Sequence, residues 1–190
     1  MFVLDSRYER FAILLLTVLM AVTRIEHFGI NQIAPDASTA VFFLAGLLIG
    51  NPLWLLAFLI EALALDVTAI KIVGVDPVCI TFGYCMMIPA YASLWLGPRL
   101  LRENFKLDIQ SFGKLAFACV TGIAGFFLFS NVGYYIGGGF DKSMGLAEYA
   151  RRVVQYFPHY LTITLLYAAA GVAISLVALR YFSPKQLAAR

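Results

Sequence analysis

The stretch Val75-Asp76-Pro77-Val78-Cys79-Ile80-Thr81-Phe82-Gly83-Tyr84-Cys85 gathers the reactive residue types of this 190-residue chain. Asp76 can cap a helix and Pro77 suits a first turn, so the spacing predicts Cys79 in the first turn of a helix. Free backbone N–H groups and the positive end of a helix dipole would there favour the thiolate. A thiolate is a soft metal ligand and the nucleophile of thiol chemistry. The two other cysteines, Cys85 and Cys119, read as small buried hydrophobes. Three cysteines are too few, and odd in number, for a disulfide framework.

Two carboxylates fall inside apolar sequence, where ionisable groups are costly and are functional candidates by default. Glu61 reads as a structural hydrogen-bonding group, and Asp66 lies five residues further on, toward the end of the same run. His27 and His159 are the remaining borderline ligands, His159 reading as a loop or interface residue. Phe82, Tyr84, Tyr134, Tyr135, Tyr149, Tyr156 and Phe157 cluster in the same connecting regions, either as an interfacial aromatic belt or as walls for a large flat ligand. No metalloprotease histidine pair, phosphate loop or nucleophile elbow is present. Nothing in the chain would bind or hydrolyse ATP.

The elements that must position these residues are set by composition. Hydrophobic residues make up 62% of the chain and charged residues 13%, with mean hydropathy +0.85. Soluble domains run near half apolar and a quarter charged, so the matching solvent is a lipid bilayer. Six apolar runs are expected to span it as helices: Phe11 to Thr23, Ser38 to Gly50, Leu53 to about Ile70, Pro77 to Gly97-Pro98, Phe112 to about Ile136, and about Tyr160 to Phe182. With flanks counted, each is read as covering the ~20 residues of a helical span. The first run has the length of a signal-peptide core, but five more of the same character favour a retained span.

The expected fold is therefore an all-α integral membrane protein of six transmembrane helices, one domain over residues 1–190. Nine Lys/Arg fall on the side of the termini and even-numbered loops against five on the other, which puts both termini in the cytoplasm. Connections are minimal inside and longer outside. The outer segment Leu146 to Val154 reads as an amphipathic interfacial helix. No basic run points to nucleic acid; the lipid bilayer is the one large partner that composition demands.

The chain resembles the substrate-binding S-components of energy-coupling-factor vitamin transporters, and within them the solitary cobalamin-specific BtuM family. The resemblance spans essentially the whole chain, and its specific part is the constellation His27, Asp66, Cys79 and Tyr84. It implies corrinoid uptake (cobalamin or cobinamide) across a bacterial inner membrane, with no cofactor of the protein's own. It further implies Cys79 as axial ligand of the corrinoid cobalt, with His27, Asp66 and Tyr84 as polar partners near the same face. Thiolate ligation would displace the nucleotide base and help remove an upper cyanide. The resemblance departs in the first span, where the docking pattern Ala-x-x-x-Ala reads Ala12-Ile13-Leu14-Leu15-Leu16. That departure favours action without a shared coupling module. Gly46-x-x-x-Gly50 reads as internal helix packing. Two alternatives stand beside uptake: a small membrane enzyme using Cys79 for decyanation, and an S-component for another vitamin.

Overall fold

The chain folds, in a computed structural model, entirely as helices among the described residues, which are 6–27, 34–74, 81–137 and 144–182. The elements are α1 (Ser6–His27), α2 (Ser38–Leu48), α3 (Leu53–Thr68, running on into a π-helical turn, Ala69–Val73), a 3₁₀ segment (Phe82–Met86) leading into α4 (Met87–Arg102), α5 (Ile109–Gly137), α6 (Leu146–Val154) and α7 (Phe157–Phe182). Three stretches are long and apolar enough to cross a membrane: Leu53–Ile72, Ile109–Gly137 and the run from Leu146 to Leu179.

This is a membrane protein, and its outer surface shows why. On α1, Ala12, Leu16 and Met20 are buried at helical spacing, while Phe11, Leu14, Leu15, Val18 and Val22 on the other face are exposed. A water-facing helix would be polar on that second face. Exposed Leu53, Leu56 and Ile60 on α3 and Leu165, Leu166 and Ile174 on α7 repeat the pattern. Ala12 and Leu16 are spent on the bundle's own core, so the small-residue comparison made for the first span falls on an inward face.

The second expected span needs correction. α2 has 11 residues, all of them buried. At 1.5 Å per residue it rises roughly 16 Å, about half the hydrocarbon thickness. It is a core helix ringed by the others, apolar on every side because it meets only protein. The chain leaving so short a helix exposes carbonyls that lipid cannot satisfy. Just past the end of α2, Arg99 Nη1 donates to the carbonyls of Gly50 (2.9 Å) and Ile49 (3.4 Å), and its guanidinium lies 4.6 Å from the Trp95 ring centre. Glu9 on α1 accepts the Gly50 N–H at 2.7 Å.

α2 packs backbone to backbone on α4. A Cβ on Gly46 would overlap the Trp95 carbonyl oxygen, which confirms the packing role read for Gly46. Gly46→Ala is expected to cost about 1–3 kcal/mol by forcing the two backbones apart; thermal unfolding of the purified protein would measure it.

Other boundaries also move. α4 runs through Gly97-Pro98 to Arg102, with Pro98 inside the helix. α5 starts earlier than Phe112 because Asp108 caps it, its Oδ1 accepting the Ser111 N–H at 2.7 Å. That backbone donor holds the Asp108 carboxyl below its ordinary range. α6 matches the expected interfacial helix residue for residue. Tyr149 is its buried contact, donating to the Asn131 carbonyl at 3.1 Å, and Glu148 pairs with the exposed Arg151 and Arg152.

Candidate functional site

The helices alternate in direction, so α1, α3 and α5 end where α2, α4 and α7 begin. At that end a buried polar knot ties several of them together. Arg24, near the end of α1, lays its guanidinium flat against the Asp66 carboxylate of α3, with Nε to Oδ1 at 2.6 Å and Nη2 to Oδ2 at 2.7 Å. Its Nη1 donates to Ser38 Oγ on α2 (3.0 Å) and to the Tyr91 hydroxyl on α4 (2.7 Å). Arg24 and Asp66 are each only 6% exposed. Two charges at this depth persist because each is forked onto the other and the spare donors are used.

The Tyr84 hydroxyl donates to Asp66 Oδ2 at 2.7 Å. Its proton is thereby committed, and the remaining lone pairs of the phenol oxygen can only accept. Two features hold Tyr84 there. Thr81 is extended and caps the 3₁₀ segment, its Oγ1 accepting the Gly83 N–H at 3.2 Å. Gly83 and Gly133 meet without side chains, and Gly137 leaves room for the Thr81 hydroxyl.

Asp36 completes the knot ahead of α2. Its Oδ1 accepts from the backbone N–H of Ser38 (2.8 Å) and from the Ser38 hydroxyl (2.6 Å), and its Oδ2 lies 3.7 Å from Arg24 Nη1. Thr23 Oγ1 accepts the Ala37 N–H at 3.1 Å. Further round, Thr39 and Thr164 share a 2.7 Å hydrogen bond that joins α2 to α7.

Above the knot lies a cavity of about 600 Å³, within the range that small-molecule sites occupy. Its polar floor is Arg24, Asp36, Asp66 and Tyr84; its walls include Tyr91, Phe126, Phe127, Tyr134, Tyr156 and Tyr160; Thr81, Ser130, Asn131 and His159 add hydrogen-bonding groups. A second cavity of about 360 Å³, between α5 and α7, is lined by apolar side chains such as Phe43, Leu115, Ala168 and Leu176 together with Cys119. It offers no group for chemistry beyond a buried thiol.

The structure brings together two of the four expected site residues. Asp66 and Tyr84 share the cavity floor and touch each other. His27 is the last residue of α1, and its side chain is not among those described. Cys79 lies outside the described residues, two positions before the cavity-lining Thr81. The helix start expected at Asp76-Pro77 also lies outside the described residues. The described lead-in to α4 begins at Phe82 with Thr81 as its cap.

Both oxygens of Asp66 are engaged within the bundle. Two further readings change. Cys85 is exposed rather than buried, its thiol donating to the Phe82 carbonyl at 2.9 Å. His159, read as a loop or interface residue, lies exposed on the first turn of α7 and also lines the cavity. Arg24 is the residue that sequence reasoning missed. It reads as a loop charge beside the first span, although a cation and the carboxylate of Asp66 in neighbouring apolar runs already form a pair that lipid would force together. Among the described residues, no three His, Cys, Asp or Glu side chains gather to hold a metal ion.

Compared with known proteins, the chain matches no protein-family model, and a search of curated proteins finds no significant match.

Proposed function

We propose that this protein takes up a corrinoid through a bacterial inner membrane, binding it in the cavity at the outer end of the bundle with Cys79 as axial cobalt ligand. The observation that carries the reading is the cavity itself. It is aromatic-walled, floored by Asp66 and Tyr84, and lined by Thr81, two residues from the cysteine. A large flat ligand with apolar faces and amide donors suits such a site, because the rings bury its faces while the Tyr84 oxygen, Ser130 and Asn131 accept from its rim. Asp66 serves this binding indirectly, by fixing Tyr84 as an acceptor.

In this reading six helices cross the membrane or fill its core, with both termini cytoplasmic. Arg24 leaves the tally of outer charges because it is buried in the knot, which strengthens the Lys/Arg bias toward the other side. The end carrying Glu9, Arg99 and Arg102 then faces the cytoplasm. The coupling module of related transporters is not required, since Ala12 and Leu16 are used internally. Thiolate ligation would also labilise an upper cyanide, so decyanation accompanies binding at the same cysteine.

Purified protein mixed with cobinamide or cobalamin is expected to show a thiolate-type shift in the corrinoid absorption spectrum. Cys79→Ala is expected to abolish that shift. An unchanged bound spectrum in Cys79→Ala would overturn the ligand assignment, and absence of any corrinoid binding by the wild type would overturn the reading as a whole.

A further inference from the structure

We propose that the cavity selects ligands of net positive charge, and that Asp36 supplies this selectivity. The inference deepens the corrinoid reading and rests on the same cavity.

Among the described lining residues the formal charges are Arg24, Asp36 and Asp66, one cation against two carboxylates. Arg24 is committed elsewhere. Its forked face is on Asp66 at 2.6 and 2.7 Å, and Nη1 spends its protons on Ser38 and Tyr91. Asp36 Oδ2 stands 3.7 Å from that nitrogen, beyond hydrogen-bonding distance. The three groups together carry one net negative charge, and Asp36, whose ion pair with Arg24 is the longer at 3.7 Å, is the less fully neutralised carboxylate. The two Ser38 hydrogen bonds pin the Asp36 carboxylate in place, and 27% of its side chain is exposed.

Three properties of the surroundings make the residual charge count. The walls include the aromatic rings of Tyr84, Phe126, Phe127, Tyr134, Tyr156 and Tyr160, whose faces attract cations. Low-dielectric walls strengthen whatever charge remains. At the start of α2 the first helical N–H, that of Ser38, is taken by Asp36 itself, and the N–H of the preceding Ala37 by Thr23. A neutral ligand would desolvate Asp36 without giving it a partner, and an anion would meet like charge. A monocation answers both.

The corrinoid series allows the charge to be varied on one macrocycle. Cobalt(III) cobinamide with one water and one cyanide is a monocation, and with two cyanides it is neutral. Affinities of aquocyanocobinamide and dicyanocobinamide would be measured by absorption titration for Cys79→Ala and for Cys79→Ala/Asp36→Asn, in which no thiolate exchanges with cyanide and the two corrinoids keep different charges when bound. The preference for the cation is expected to fall roughly five- to tenfold when Asp36→Asn is added. An unchanged preference overturns the inference.

Asparagine keeps an acceptor for Ser38, so α2 should start normally, and a thermal unfolding curve checks that it does. Should the variant fail to fold, Cys79→Ala alone decides. Raising NaCl from about 0.05 to about 0.5 M is expected to weaken the cation and leave the neutral form unaffected; equal behaviour of the two overturns the inference. Should no corrinoid bind, the uptake reading fails separately. The charge inference is then read with N-methylquinolinium against neutral quinoline at pH 8, where a cation preference lost in Asp36→Asn upholds it and no preference overturns it.

Discussion

Alanine in place of Arg24 is expected to lower stability by about 3–5 kcal/mol, the usual cost of stripping one partner from a buried ion pair. Asp66 would keep the Tyr84 hydroxyl but lose both forked donors, leaving a nearly intact negative charge 6% exposed within an apolar bundle. The same change frees Ser38 and Tyr91 and so loosens α1 from α2 and α4 at once. Arg24→Lys should recover part of the loss, since an ammonium keeps the charge but cannot fork onto two oxygens. Arg24→Ala/Asp66→Ala should be less damaged than the sum of its single variants, because it removes the orphaned charge. Thermal unfolding of the four proteins gives the coupling directly. The exposed Arg151, paired only with Glu148, is the control and should show little change. If Arg24→Ala unfolds like that control, the knot does not hold the fold.

Gly83→Ala is expected to damage the site more than the bundle. Its new Cβ would overlap the Gly133 carbonyl, a backbone atom that cannot turn aside as a side-chain tip can. The 3₁₀ segment must lift from α5, at about 1–3 kcal/mol of overpacking, and carries Tyr84 away from Asp66. Under the proposed corrinoid function, affinity should drop at least about tenfold, the equivalent of 1.4 kcal/mol, while α2 and its contacts with α4 persist. Gly133→Ala should reproduce the effect from the other side, since its Cβ would meet the Gly83 carbonyl oxygen at 2.5 Å and the Met86 Cβ at 2.7 Å. Gly113, earlier on the same helix with nothing within 4 Å, is the control. Alanine there should stabilise by roughly 0.5–1 kcal/mol through helix propensity. Equal binding by the Gly83 and Gly113 variants would show that the Gly83–Gly133 contact does not position the site.

The amphipathic α6 was fully legible, because three charges on one face and a single buried Tyr149 define a surface helix without reference to any neighbour. The long apolar runs behind α3, α5 and α7 were legible for a similar reason: solvent alone selects them. α2 was misjudged because an apolar run buried in protein and one buried in lipid have the same composition. Only Arg99 and Glu9, arriving from other helices to satisfy the chain at Ile49 and Gly50, show where it stops. Cys85 was misjudged for the converse reason, since an apolar neighbourhood in sequence does not say which side of a helix faces the core.

What the sequence alone determines about this protein is its solvent and its chemistry-bearing residue types. A chain with 62% hydrophobic residues must surround itself with lipid, and Asp66 and Tyr84 stand out in it as polar groups that need partners. The tertiary structure decides the pairing. It sets Arg24, 42 residues from Asp66 in the chain, against that carboxylate. It also seats Tyr84 through the contact of two glycines and sets Asp36, 3.7 Å from Arg24, as a third charge at the cavity floor. Hydrophobic burial depends on residue type and can be read locally, whereas forked ion pairs and backbone contacts depend on the relative placement of distant helices, which no single stretch of sequence encodes.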